Sequence, residues 1–198
     1  MNPRSDPMAV PPSSSTNWNL PNALTVLRLA LVPVFVSALW QSPDSDAWRY
    51  ASALIFLVAS LTDFVDGDLA RRRDQVTTFG KVVDPIADKA LTGSALVGLS
   101  LLGELSWWVT TVIVVREVGV TLLRFWVIEH GVIPASRGGK LKTLLQILAI
   151  LTYLWPLPSN VDWVAESLMA AAVLVTVVTG VDYVVRAARL RRTASPAS

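Results

Sequence analysis

The chain has 198 residues, 53% of them hydrophobic and only 16% charged, with 8 Trp, 1 His and no Cys. Soluble domains carry about 25% charged residues, so this balance, with a mean hydropathy of +0.50, argues against a water-soluble enzyme and against a disordered chain. Without cysteine there are no disulfides, thiolate metal sites or cysteine nucleophiles, and a net charge of +2 gives no reason to expect nucleic acid as a partner.

In chain order, residues 1–18 are rich in Pro and Ser and have no helical period. They read as a disordered tail, without the basic start and apolar run of a signal peptide. Six apolar runs follow, each near the roughly 20 residues that cross a bilayer as a helix. They are Leu20 to Trp40, Arg49 to Arg71, Gly80 to Leu102, Ser106 to Glu129, Lys140 to Leu157, and Val161 to Arg186. Turn signals separate them at Gln41 to Asp44, Gly103, Gly131 to Gly139, and Pro156 to Asn160. The expected architecture is an all-α integral membrane domain over residues 19–192, with six transmembrane helices and a short tail at 193–198.

Lys and Arg set the expected orientation. Arg71, Arg72, Arg73, Lys81, Arg137, Lys140, Lys142, Arg186, Arg189, Arg191 and Arg192 all fall after runs two and four or at the C-terminal end. The other connections hold only Arg49. Both termini are therefore expected in the cytoplasm, with Trp107, Trp108, Trp155 and Trp163 at the outer interface.

Ten charged residues lie within the runs: Arg28, Asp63, Asp66, Asp84, Asp88, Lys89, Arg116, Glu117, Arg124 and Asp182. Each costs roughly 2.5–3.5 kcal/mol at a span centre unless it is paired or solvated. Their positions suggest one polar cavity in the cytoplasmic half, with Arg116 and Glu117 deepest. Arg116, Glu117 and Asp182 read equally well as interhelical ion pairs.

The densest group lies between residues 63 and 88. On a helix, Asp63, Asp66, Gly67 and Ala70 share one face, as do Gly80, Asp84 and Asp88. The short connection predicts that the two helices are antiparallel neighbours whose carboxylates converge. Four carboxylates without His or Cys suit hard cations, Mg²⁺ or Mn²⁺, with room for two ions to polarise a phosphoryl group. Gly67 and Ala70 leave space for a ligand, and Arg71 stands where it can meet a phosphate.

The pattern Asp-x₂-Asp-Gly-x₂-Ala-Arg-x₈-Gly-x₃-Asp-x₃-Asp, from Asp63 to Asp88, resembles the signature of the CDP-alcohol phosphotransferase family, with every fixed position matched. A chance match is on the order of 10⁻¹⁰ per register at ordinary residue frequencies. The likeness extends from about Asn19 to Leu157. The segment Asn19 to Arg28, the Arg116-Glu117 pair with Arg124, and Gly139 to Thr143 resemble bacterial members that make phosphatidylglycerophosphate.

The resemblance implies the six-helix fold of that family in the cell inner (plasma) membrane, with the active site facing the cytoplasm and a homodimer as the common assembly. It implies transfer of a phosphatidyl group from CDP-diacylglycerol to glycerol 3-phosphate, with release of CMP. Asp63, Asp66, Asp84 and Asp88 are then the metal ligands, and Asp88 is also the general base. The nucleotide falls to Asp63, Asp66, Gly67, Ala70 and Arg71, with Thr62 adjoining. For the acceptor phosphate the candidates are Arg116, Arg124, Lys140, Lys142 and Arg28. Phosphatidylglycerol and inositol phosphate are alternative acceptors within the family. A divalent-cation transporter is the rival from another class, but it leaves Gly67, Ala70, Arg71 and the cationic set without a role.

Overall fold

The computed structural model describes the backbone of residues 20–72, 78–127 and 137–194. Side chains are described for residues 23–62, 86–87, 89–123, 138–158 and 160–189. The tail at 1–18 lies outside these. Six helices make up the described chain: α1 (Leu20–Trp40), α2 (Asp46–Arg72), α3 (Thr78–Leu101), α4 (Trp107–Val127), α5 (Arg137–Leu154) and α6 (Asp162–Ala194). No strand occurs among the described residues.

The helix ends follow local chemistry. A short 3₁₀ turn, Ser42–Asp44, carries Pro43 after α1. Ser45 is extended at φ −161° and ψ 124° and accepts the Arg49 backbone N–H at 3.1 Å. With Ser45 at the N-cap and Asp46 in the first turn, α2 starts three residues before the expected run. Gly103, at φ 78°, closes α3. Its N–H reaches Ser100 O at 3.1 Å, and the Glu104 N–H reaches Leu99 O at 3.0 Å. These are the two bonds of a Schellman cap, which needs a left-handed residue. α5 ends at Leu154, before the expected Leu157, because Pro156 cannot continue a helix. α6 continues past Arg186 to Ala194, since a helix need not stop where its apolar run stops.

Among the described residues α1 packs along both α2 and α3, and α2 and α3 also touch each other, as the short connection between them predicts. α5 and α6 form a second intimate pair, α4 packs on α6 and α3, and α5 touches α2 and α3. Among the described residues α4 and α5 do not pack on each other. The core is a column of Phe35, Phe56, Leu96, Leu99, Ile113 and Ile150, all buried. The Phe35 and Phe56 rings stand 5.7 Å apart and tilted by 48°. Gly98 brings α3 close to α1, since a Cβ there would lie 2.4 Å from Leu39 Cδ2.

Many large apolar side chains lie on the outer surface. Leu27, Val34, Leu54, Val58, Val115, Leu122, Leu174 and Val178 are all exposed, and exposed apolar surface on this scale marks a surface that meets something other than water. In α1 the segment Ala23–Trp40 and in α6 the segment Asp162–Arg189 are long and apolar enough to cross a membrane, with mean hydropathies of 2.0 and 2.1. Trp107, Trp108 and Trp163 are exposed at helix starts.

The end opposite the signature is held by Arg49. Its guanidinium donates to both oxygens of Glu104, at 2.8 and 2.7 Å, and to Tyr153 O at 2.9 Å. This joins the start of α2, the α3–α4 turn and the end of α5. A polar pocket of about 460 Å³ opens beside it, edged by Asp46, Asp162 and Glu166.

Replacing fully buried Phe56 tests this packing. Phe56→Ala is expected to cost about 3–5 kcal/mol, read as a lowered thermal midpoint of the detergent-solubilised protein. The outward-facing Val58→Ala should change the midpoint by no more than a degree or two.

Candidate functional site

The signature residues fall on two helices as the spacing requires. Asp63, Asp66, Gly67, Ala70 and Arg71 lie in the last turns of α2, and Gly80, Asp84 and Asp88 lie in the first turns of α3. Both segments are at the same end of the bundle, because α2 finishes where α3 begins. Their side chains, and that of Arg124 in α4, lie outside the described residues. Among the described residues no group of three or more His, Asp or Glu stands together as a metal site. The donor set offered by the signature is carboxylate throughout, which fits a hard divalent cation and suits no soft one. Thr62 is described: its hydroxyl donates to Val58 O at 2.7 Å, within α2.

Beside the signature helices is a cluster built on Glu117. This carboxylate on α4 pairs with Lys142 of α5, with Arg116 Nη1 at 3.0 Å, and with Lys89 Nζ at 3.7 Å from α3. Lys89 also donates to Glu117 O at 3.3 Å and to the Thr121 hydroxyl. Arg116 Nη2 donates to Thr179 Oγ1 of α6 at 2.9 Å. The neighbouring Gly180 makes room for it, because a Cβ there would meet Arg116 Cγ at 3.0 Å. One carboxylate thus gathers cations from three helices, and its neighbour Arg116 engages a fourth.

The cluster forms one wall of a cavity of about 80 Å³ between α3, α4 and α5. The space exists because α4 and α5 do not pack together. Lys89, Glu117, Lys142 and Gln146 supply its polar lining; Leu96 and Ile113 are apolar. Gln146 is 3% exposed, and among the described residues its Nε2 donor meets no acceptor.

These contacts sort the acceptor-site candidates. Arg116 and Lys142 come together through Glu117. Lys140 does not join them: it is exposed, whereas Lys142 is only 6% exposed. Two residues on a helix are about 200° apart, so the pair cannot share a face. Arg28, buried on α1, donates from Nε to Ala59 O of α2 at 3.3 Å, one turn before Asp63, and among the described residues α1 packs on neither α4 nor α5. It stands beside the signature helix. Asp182 pairs with Arg186 on its own helix at 2.9 Å, not across helices. The sequence marked Lys89 as a charge within an apolar run but gave it no role, and it did not single out Gln146. The available signal for Lys89 was its place directly after Asp88, as a lysine inside an apolar run; a lone Gln in α5 gives none.

Comparison with known proteins identifies the family. The profile of the CDP-alcohol phosphatidyltransferase family matches residues 18–178. A "Probable phosphatidylglycerophosphate synthase" of Mycobacterium tuberculosis is 54% identical over 182 residues, covering 89% of this chain and 87% of that protein. A "CDP-diacylglycerol--glycerol-3-phosphate 3-phosphatidyltransferase" of Wigglesworthia glossinidia brevipalpis is 41% identical over 145 residues, or 69% of this chain and 77% of that one. A protein of the same description from Escherichia coli K12 is 37% identical over 173 residues, covering 84% and 93%. With its eight signature positions in place on α2 and α3, and a profile match over most of its length, the chain belongs to the CDP-alcohol phosphatidyltransferase family.

Proposed function

We propose that this protein transfers the phosphatidyl group of CDP-diacylglycerol to glycerol 3-phosphate, giving phosphatidylglycerophosphate and CMP. The observation that carries the reading is a juxtaposition. A helix-borne set of four aspartates, the last being Asp88, is followed at the next residue by Lys89, the first member of a part-buried cation cluster. Carboxylates suit the cytidine diphosphate end of the reaction, and cations suit a soluble phosphorylated acceptor. The names of the relatives point to the same two substrates.

The chain is read as spanning the cell's inner (plasma) membrane with all six helices. The outward-facing apolar side chains on every helix support this, with α2 to α5 carrying the charges the chemistry needs. Both termini and the signature end face the cytoplasm, following the Lys and Arg distribution. The Arg186–Arg192 region anchors α6 against anionic headgroups. Residues 1–18 act as a tail outside the catalytic domain, and two copies form a homodimer.

In this mechanism Asp63, Asp66, Asp84 and Asp88 hold Mg²⁺ or Mn²⁺, two ions in all. When bound, such ions neutralise the diphosphate and stabilise charge on the transferring phosphoryl group. Gly67, Ala70 and Arg71 lie along the nucleotide. Lys142 and Lys89 hold the acceptor phosphate, Arg116 supports them through Glu117, Arg124 and Arg28 add positive charge, and Lys140 meets the acceptor at the cytoplasmic mouth. Asp88 removes the proton from the acceptor hydroxyl. That oxygen bonds to the lipid-side phosphorus, the phosphoanhydride bond breaks, and CMP departs with the electron pair.

Purified protein with CDP-diacylglycerol should release CMP with glycerol 3-phosphate. No release with it, but release with inositol phosphate or phosphatidylglycerol, reassigns the acceptor. Asp88→Asn should lower kcat by about 10²–10⁴ while CDP-diacylglycerol binding persists; near-normal kcat removes Asp88 as the base. Lys142→Gln should raise KM for glycerol 3-phosphate about tenfold, the loss of one charge-assisted contact, and leave KM for the lipid unchanged. The exposed Lys140→Gln should give a clearly smaller rise, and equal effects would contradict the division between the two lysines.

A further inference from the structure

The Glu117 cluster poses a question that the transfer chemistry does not answer. An anion is placed among the cations expected to bind an anionic substrate. Among the described residues Lys89, Arg116 and Lys142 surround this one carboxylate. Lys142 has a side chain only 8% exposed, and an ammonium so deeply buried needs a counter-charge at every stage of a catalytic cycle.

We propose that Glu117 is an internal counter-anion in the phosphate pocket, displaced from Lys142 and Lys89 by the incoming phosphomonoester dianion. The proposal rests on the transfer reading above and assigns the acceptor's phosphate to the cavity between α3, α4 and α5. Three observations support it. Gln146 lines the same cavity, is 3% exposed and, among the described residues, has an Nε2 donor without an acceptor, so the cavity wall holds a neutral donor that a phosphate oxygen could satisfy. Glu117 remains balanced after it gives up the lysines, because Arg116 holds it at 3.0 Å from the adjacent position. Arg116 is itself fixed by Thr179 and by the space over Gly180, so it stays in place while the lysines change partner.

The exchange also selects for charge. A carboxylate tethered beside the lysines competes at high effective concentration. A monoanion, such as a phosphodiester, only replaces one negative charge with another. A phosphomonoester carries about −1.5 to −2 near neutral pH and gains from the second. The pocket is therefore selective for phosphomonoesters over phosphodiesters and uncharged polyols. It also returns to a neutralised state when the product leaves, so binding is not tighter than turnover allows.

Glu117→Gln keeps the shape and removes the competing charge. Titration calorimetry of inorganic phosphate onto the purified full-length protein in detergent should show Kd about tenfold lower for E117Q than for the native chain. A loss of structure would not tighten anion binding, so a lower Kd supports displacement. An unchanged or higher Kd overturns it. If E117Q does not fold, Glu117→Asp, which keeps the charge but shortens the reach to Lys142, decides: Kd must fall below the native value. Gln146→Leu should raise Kd at least threefold, and an unchanged value removes Gln146 from the pocket. Phosphate binding is read without turnover, whereas CMP release by the native protein tests the transfer reading, so the two can fail separately.

Discussion

Charge held inside an apolar bundle is the constraint on which this molecule depends. A lone ionised group at the centre of a membrane span costs roughly 2.5–3.5 kcal/mol, and α4 alone places Arg116 and Glu117 in the middle of its length. The cost is met by convergence: Glu117 receives cations from α3, α4 and α5, and Arg116 passes on to Thr179 of α6. Four of the six helices are positioned at this level by electrostatics as much as by packing. The gap between α4 and α5 follows, since the Glu117–Lys142 pair spans a distance that close backbone packing would have removed.

The rest of the fold serves the same arrangement from the other side. α1 carries no part of the signature, yet it packs along both signature helices. Phe35 on α1 and Phe56 on α2 fill the contact below the signature, and Gly98 lets α3 approach α1 nearer its far end. The signature positions thus lie on two helices that a third helix packs along, and rigid elements are what a proposed catalytic constellation needs.

Much of this was legible in the sequence, for physical reasons that can be named. The apolar runs located every helix, and both limits of α1 match, because a bilayer-length run leaves few choices. Gly103 ended α3 as its left-handed conformation required. Spacing alone put Asp63 with Asp66, and Asp84 with Asp88, on common helix faces. Partnerships were not legible. Glu117 and Lys142 are 25 residues apart, and nothing local says they meet. Lys140 and Lys142 looked alike as neighbours in a basic segment, but helix geometry turns one outward and one inward. Nor did the sequence show that Arg28 would donate to Ala59 O of α2. Asp182 found its partner one turn away, an economy that only the completed helix reveals.

The Arg49 clamp has a consequence for how the chain enters its membrane. In the proposed orientation Arg49 is the cation that must be carried to the far side, against an inside-negative potential worth about 2.3 kcal/mol per charge per 100 mV. Its bidentate partner Glu104 cancels that charge electrically once both are across. Asp44, Asp46, Asp162 and Glu166 at the same end move outward with the field. The voltage that opposes export of a basic loop therefore favours this one, and the clamp joining α2, the α3–α4 turn and α5 helps keep the inserted topology from reversing.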